Sequence, residues 1–407
     1  MTTSSTICLN MIVKDESDII INTLTNILEK IPIHYWVICD TGSTDNTAEL
    51  IETFFFEKGI SGELIHDPWK DFAHNRTRAL EFAYKKTDFI FLFDADDRIV
   101  GDLVLPDLKR GSAYHMQFGH AVQWKRLPLL DNHIKWYYEG VMHEIIGTKE
   151  PHKLDSIEGS YHIATNVEVS ARNKKGGKKF YDDAMILVDA YNKNDKLQAR
   201  YGFYAAECFR FSGKENWDKS IEWYKKVIDE KRQWIQEKYW ACYQLGKMYD
   251  ELDEKEKAWY YYFKSYEFDD SRKEAFFELI KKCREQNKFK TGYKLYKMLK
   301  PCLKQDKPHK LFIINHIYEH SLYSEMAIIL YYLKKNDEVM EIFKILFLAN
   351  ITHPGYIQMT NNNIIYFIPH IKKDDWEFYV KFKRYCLKFN VPENLKKQID
   401  KLFIDNL

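Results

Sequence analysis

The chain has 407 residues, room for two or three domains at ~150 residues each and long enough to bury cores without disulfide or metal staples. Hydrophobic residues make up 45% and charged residues 30%, which excludes a disordered or collagen-like chain, and the apolar runs at 89–93 and 326–333 fall far short of the ~20 residues a bilayer span needs. The net charge of +1 conceals an asymmetry, since residues 1–170 carry 16 Lys and Arg against 26 Asp and Glu and the remainder 45 against 34; the basic residues there are mixed with acidic ones, which argues against a nucleic-acid surface.

Up to about residue 100, short apolar runs alternate with amphipathic stretches. Ile7–Val13 reads as a buried strand, and a helix follows from about Asp18 to Glu29 with Ile20, Leu24, Ile27 and Leu28 on one face. Tyr35–Cys39 is a second strand. The polar turn Thr41-Gly42-Ser43-Thr44-Asp45 then leads into a helix that reaches about Glu57. Glu63–His66 is a third strand, Phe72–Tyr84 a third helix and Phe89–Phe93 a fourth strand. This alternation predicts a parallel α/β sheet with helices on both faces. Ligands bind such sheets at the carboxyl ends of the strands, which directs attention to Lys14–Glu16, Asp40–Asp45 and Asp94–Asp97.

From about Phe180 onward the pattern is almost wholly helical. Leu245-Gly246, Tyr249, Ala258 and Tyr262 stand at the offsets of a tetratricopeptide repeat, and Phe276, Leu279-Ile280, Cys283, Gly292 and Tyr296 repeat that frame 34 residues on. A looser copy begins near Ala205-Ala206, and another near Ile313-Ile314. Each such unit is a helix pair whose apolar face is buried only by the next pair, so the expected form is a solenoid. Beyond Pro354 the pattern marks one further helix, Asp375 to Leu387. The basic run Arg172–Lys179 reads as a solvated hinge.

The chemistry lies at the strand ends. Asp94-Ala95-Asp96 follows an apolar strand directly, and two carboxylates placed so can hold Mg²⁺ or Mn²⁺ through hard oxygen ligands. A cation there neutralises a diphosphate leaving group. Asp40 likewise ends its strand, with the small polar loop 41–45 beyond it.

These residues carry a family resemblance. The segments Cys8–Glu16, Asp40–Asp45, Trp69-Lys70-Asp71-Phe72 with Arg76, and Phe93–Asp97 resemble, in order and spacing, those of family 2 glycosyltransferases. The likeness is greatest to the branch in which the catalytic domain is fused to tetratricopeptide repeats, as in bacteriocin S-glycosyltransferases. It implies a GT-A fold, an inverting mechanism and a nucleotide-sugar donor, UDP before others. It implies a divalent cation, Mn²⁺ or Mg²⁺, and a hexosyl- or N-acetylhexosaminyltransferase activity. Carried over residue by residue, the resemblance makes Val13, Glu16, Asp40, Ser43, Arg76, Asp94 and Ala95 nucleotide-sugar-binding residues. Gly140-Val141-Met142-His143-Glu144 resembles the family's Gly-x-Val-His-Glu, which makes Glu144 the candidate catalytic base. Tyr161-His162 resembles a Tyr-His that completes the cation's ligands, so Asp94, Asp96 and His162 are the implied metal set. The chain departs from the family at Arg126–Leu130, where the usual Leu-Phe-Arg lacks its arginine.

The expected architecture is thus an α/β GT-A domain, Rossmann-like with a mainly parallel sheet, over 1–170. A tetratricopeptide-like all-α solenoid over 171–347 and a helical segment over 348–407 follow. The partners expected are a nucleotide-sugar donor, a protein, peptide or glycan acceptor, and a second copy meeting through the helical domain. No nucleic acid and no membrane span are expected. Seven scattered cysteines without CxxC spacing, and an N-terminus with no basic start or apolar core, predict reduced thiols and a cytoplasmic protein. Two rival classes remain. A sugar-phosphate nucleotidyltransferase calls for a glycine-rich first loop, and 11–16 has no glycine. A scaffold protein with an inactive sheet domain has no need to keep Asp40, Asp94, Asp96, Glu144 and His162 together.

Overall fold

The computed structural model describes residues 5–165, 177–193, 196–299, 310–349, 351 and 354–404. Its packing divides the chain into two units, residues 1–237 with 309–312, and residues 238–308 with 313–407. The expected boundary at 170/171 lies outside the described residues, as does most of the run Arg172–Lys179. Among the described residues no helix is long and apolar enough to cross a membrane.

The first unit opens as the sequence predicts. Strand β1 (Ile7–Val13) leads through α1 (Ile20–Lys30) to β2 (Tyr35–Asp40), and α2 (Thr47–Lys58) leads to β3 (Gly62–His66). Helix α3 (Phe72–Ala83) and strand β4 (Phe89–Leu92) complete the alternating part. Helix α2 ends on Gly59, whose φ of +64° is the left-handed conformation that closes a helix at little cost to glycine. Asp71 starts α3 by accepting the amide of His74 at 2.7 Å. Strands β1, β2, β3 and β4 pair in parallel, in the order β3-β2-β1-β4.

Residues 98–164, where the sequence marked no strands, extend the sheet. They form β5 (Arg98–Asp102), β6 (Ser112–Phe118), β7 (Val122–Asp131), β10 (Lys153–Ser156) and β11 (Ser160–Ala164), with β8 (Trp136–Glu139) and β9 (Ile145–Thr148) as a separate hairpin. The sheet continues from β4 through β7, β6 and β11 to β5. The pairs β4–β7, β7–β6 and β11–β5 are antiparallel, so the parallel sheet of the expectation is a mixed one. Two cores sandwich it. One joins Leu9, Met11, Phe89 and Phe91 with Leu24 and Ile27 of α1 and Phe54 and Phe55 of α2; the other joins Cys8, Ile90 and Leu130 with Leu80 and Ala83 of α3. The alternate residues of each strand therefore serve opposite faces, the period-2 rule of a sheet covered on both sides.

Three helices also belong to this unit: α4 (Gly177–Asn192), α5 (Gln198–Phe211) and α6 (Trp217–Asp229), packed α4 on α5 and α5 on α6. The buried hydroxyl of Ser220 on α6 donates to the Ala206 carbonyl of α5 at 2.9 Å. Helix α7 (Ile235–Glu251) begins in the first unit and continues into the second.

The second unit is helical: α8 (Lys255–Phe268), α9 (Glu274–Glu285), α10 (Phe289–Leu299), α11 (Leu322–Tyr332), α12 (Asn336–Leu346), α13 (Pro354–Ile364), α14 (Trp376–Lys388) and α15 (Glu393–Ile404). Successive helices from α8 to α12 pack on one another. Leu245, Tyr249, Ala258 and Tyr262 are all buried. Gly246 is there because a Cβ would stand 2.5 Å from the Tyr262 ring. An Arg272–Glu274 ion pair is fully buried at the start of α9, with Tyr318 and Tyr239 donating to the same carboxylate. The six cysteines among the described residues are free thiols.

Candidate active site

The parallel strands end together. Val13 lies opposite Asp40, and Leu92 lies opposite Asn10, so the residues after β4 emerge beside those after β1. The β1 and β2 ends are laced to each other. Thr41 donates its amide and its hydroxyl to the Val13 carbonyl, at 2.9 and 3.0 Å. The Asp15 amide donates to Ser43 Oγ at 3.0 Å, and the Glu16 amide to Thr47 Oγ1 at 2.8 Å. Asp40 is buried, and its Oδ1 accepts the amides of Gly42 and Ser43 at 3.0 and 2.8 Å. Its Oδ2 lies 3.6 Å from the exposed ring of His66. Asp40 therefore folds the loop after β2 and fixes where Ser43 stands.

The turn Asp94–Asp97 is held from behind by α1. Thr23 Oγ1 donates to the Ala95 carbonyl at 2.5 Å, and Asn26 exchanges hydrogen bonds with Ile99 at 2.7 and 3.0 Å. Helix α3 is pinned as firmly. The Asn10 side chain donates to the Ala79 carbonyl at 2.9 Å, and the wholly buried Asn75 ties Asp67, Pro68 and Lys70 to the start of the helix. That anchoring places Arg76 at the centre of the site.

Arg76 joins the two halves of the chemistry. Its Nη2 donates to Asp94 Oδ1 at 2.6 Å, and its Nε lies 2.7 Å from Glu144 Oε1. The second contact is ionic only: the buried Nε is not aligned on a hydrogen-bond acceptor. Burial disfavours the charged guanidinium, but Asp94 and Glu144 outweigh it and hold the arginine above its ordinary pKa. Tyr138 lies under it, 5.7 Å from guanidinium carbon to ring centroid. Asp94 is bracketed by a second arginine, with Arg126 Nη1 3.6 Å from its Oδ2. Burial raises the Asp94 carboxyl, and the two arginines more than reverse this, so its pKa lies below the usual range. Asp97, next along, is pushed well above that range by burial and then by Asp94 and Asp96.

Glu144 sits in the loop between β8 and β9. Thr77, the neighbour of Arg76 on α3, accepts the Tyr138 amide at 2.9 Å and so hangs the hairpin from the same helix. The loop's far side rests on α5, where Arg200 Nε donates to the His143 carbonyl at 2.7 Å and Tyr204 stacks on the His143 ring at 3.9 Å.

Residues 8–110 match the model of glycosyl transferase family 2. The chain thus carries a family 2 glycosyltransferase domain, whose matched segment runs from β1 past β5 and includes Val13, Glu16, Asp40, Ser43, Arg76, Asp94, Ala95 and Asp96. Its architecture is a mostly parallel α/β sheet with antiparallel additions. Glu144 and His162 lie beyond the matched segment. A search of curated proteins finds no match to the chain. Among solved structures the chain is similar to S. aureus TarS, at 13% identity and a TM-score of 0.32, over 58% of this chain and 52% of that one. It is similar also to the mannosyltransferase PcManGT from Pyrobaculum calidifontis, solved with GDP-Man and Mn²⁺, at 11% identity and a TM-score of 0.35, over 56% of this chain and 76% of that one. BtubC (BKLC) from P. vanneervenii matches at 11% identity and a TM-score of 0.36, over 56% of this chain and 91% of that one.

The glycosyltransferase domain offers hard oxygen donors for a divalent cation at Asp94 and Asp96. Mg²⁺ commonly takes one or two carboxylates and completes its shell with water and substrate phosphate. His162 stands elsewhere, on β11, with its ring centroid 5.0 Å from that of His120. Burial and His120 both push its pKa down. Among the described residues no group of three or more His, Cys, Asp or Glu side chains is close enough to hold an ion, so His162 is not gathered with Asp94 and Asp96. Three participants escaped the sequence reading. Arg126 belongs to the very segment whose usual arginine is missing, and Arg200 and Tyr204 lie on a helix that no motif connected to the site.

Proposed function

We propose that this protein is an inverting glycosyltransferase that moves a sugar from a nucleoside-diphosphate sugar, UDP-linked before others, to a hydroxyl or thiol of a protein, peptide or glycan. The observation that carries this reading is Arg76, which bridges Asp94 of the donor motif and Glu144, the candidate base, at 2.6 and 2.7 Å. Donor and acceptor chemistry then meet at one guanidinium. Its second guanidinium face is taken by the Glu144 carboxylate, so the arginine holds both anionic groups at once.

In this reading Val13, Glu16, Asp40, Ser43 and Ala95 shape the nucleoside side of the cleft, and Asp94 and Asp96 hold Mn²⁺ or Mg²⁺. The cation, when bound, acts as a Lewis acid on the diphosphate. Arg76 and Arg126 offer positive charge to the same leaving group. Glu144 accepts the proton from the acceptor O–H or S–H as that atom attacks the anomeric carbon. The bond from that carbon to the diphosphate oxygen breaks, its electron pair leaves with the nucleoside diphosphate, and the configuration inverts. Imidazole beside carboxylates suits Mn²⁺ as well as Mg²⁺, the chemistry by which His162 is proposed as a further ligand.

The test is release of nucleoside diphosphate from UDP-, GDP- and dTDP-sugars with Mn²⁺, water serving as acceptor. Turnover of at least one donor, abolished by chelation, is expected. A folded protein that binds and turns over none of them overturns the reading in favour of a scaffold.

A further inference from the structure

The loop that carries Glu144 is not held by the sheet domain alone. Gly140 begins it at a φ of +111°, and a Cβ there would come within 3.1 Å of Leu197 Cδ1 and 3.5 Å of Tyr201 Oη, so the backbone runs directly against α5. Glu139, just before it, is ion-paired with Lys196, at the approach to the same helix. His143, just before Glu144, has a φ of +50°. Histidine enters this region more readily than most residues, but such a conformation persists where its surroundings over-determine it. Here the surroundings are two residues one turn apart on α5. Tyr204 lies flat on the exposed His143 ring, with centroids 3.9 Å apart and planes 9° apart. Arg200 donates to the His143 carbonyl at 2.7 Å. The guanidinium of Arg200 in turn sits 4.8 Å from the Tyr204 ring centroid, and its Nη1 lies 3.9 Å from the buried carboxylate of Glu237. The clamp is therefore itself braced.

We propose that Arg200 and Tyr204 are positioning residues for the transfer reaction, holding His143 in its left-handed conformation so that Glu144 stands against Arg76. The inference rests on Glu144 being the base. It makes the first helices of the α-helical region part of the catalytic centre. A base displaced by about 1 Å costs on the order of 10²-fold in rate. Loss of the clamp therefore acts on the chemical step and spares the donor, since α1 and α3 hold the turn of Asp94 and Arg76, and the loop after β2 holds Asp40.

The experiment uses the full chain with Arg200→Ala, Arg200→Lys, Tyr204→Leu and Tyr204→Phe. Amide hydrogen exchange over residues 140–145 reads the clamp without reference to activity. Calorimetry with UDP and Mn²⁺ reads donor binding, and UDP release from UDP-sugars with water as acceptor reads the chemistry. Expected for Arg200→Ala and Tyr204→Leu are exchange faster by about 10-fold or more over that loop alone, UDP affinity within about twofold, and kcat lower by about 10–100-fold. Arg200→Lys keeps one donor for the His143 carbonyl and Tyr204→Phe keeps the ring, so both should stay within about threefold of the parent. Unchanged exchange in Arg200→Ala and Tyr204→Leu overturns the clamp, whatever the enzyme does. Faster exchange with unchanged kcat overturns the positioning role, as does UDP affinity that falls in step with kcat. If the parent protein releases no nucleoside diphosphate from any of the UDP-, GDP- and dTDP-sugars, the functional reading fails and takes the positioning role with it, while the exchange result still decides whether α5 holds the loop.

Discussion

Arg76 Nε and Glu144 Oε1 stand 2.7 Å apart, with the arginine committed on its other side to Asp94. The candidate base is thus tied to the residue that also holds the donor motif, a link between α3 and the β8–β9 loop that separates 76 and 144 in sequence and joins them in space. The proposed base is therefore also one half of an ion pair, and one substitution separates the two roles. Glu144→Gln keeps the size and a hydrogen-bond acceptor but removes the charge. If the carboxylate takes the acceptor's proton, transfer should fall by about 10²–10⁴-fold while UDP affinity barely changes. Melting temperature, UDP affinity and transfer rate measured on this variant settle it, and near-parental transfer removes Glu144 as the base. Asp131 and Glu139, the nearest upstream carboxylates, are committed to Arg110 and Lys196.

Asp96→Asn should abolish the metal-dependent part of nucleotide binding and leave the fold intact. Removing one of two carboxylates leaves the other, with Asp97, facing a diphosphate with less to bridge them. Calorimetry with UDP in the presence and absence of Mn²⁺ reads this directly. An unchanged Mn²⁺-dependent affinity takes Asp96 out of the metal set.

Arg126 has an arginine's reach toward Asp94 but is about half exposed, with its side chain 49% accessible. An ion pair so open contributes little to stability, so Arg126→Ala should leave the melting temperature unchanged within about 2 °C. If Arg126 meets the diphosphate, donor affinity should fall by about 10-fold, the worth of one charge-assisted hydrogen bond. Unaltered affinity confines Arg126 to its stacking on Phe118 and Trp124.

Glu237 supplies a pH signature. Burial raises its pKa from 4.5 to about 7, against the opposing pull of Gln233 and Arg200. The folded protein therefore retains a proton that the unfolded chain releases between those values, and stability should fall as pH rises through that window. Glu237→Gln should flatten that slope and stabilise the protein at pH 8 by at most about 3 kcal/mol, at about 1.4 kcal/mol for each pK unit. Denaturant unfolding of both proteins at pH 5 and pH 8 measures it, and equal slopes place the proton elsewhere.

Gly246→Ala tests the packing of α7 on α8. The added Cβ meets the buried Tyr262 ring at 2.5 Å, with no flexible chain end to yield. Overpacking of this kind costs about 1–3 kcal/mol. The loss should appear as a lower denaturant midpoint, and a helix-favouring gain in its place would mean that the two helices slide apart freely.

The sequence by itself determined the alternating elements of residues 7–92, because strands buried on both faces read as continuous apolar runs and their helices show a clear apolar stripe. It placed Asp40 and Asp94 at strand ends for the same reason. Local signals of that kind are carried by neighbours in the chain. What the tertiary structure alone decided is how distant segments meet. The strands β5 to β11 alternate too weakly to read, since several are short and half exposed, and their pairing order follows from the sheet they complete. That Arg126 faces Asp94, that Glu144 lies on Arg76, and that α5 fastens the loop before it are contacts between residues 32 to 68 positions apart. No periodicity encodes such pairs. They arise because α3, anchored through Asn10 and Asn75, and α5, packed against the loop at Gly140, bring three separated stretches of chain to one guanidinium, where charge balance and close packing fix which side chains face one another.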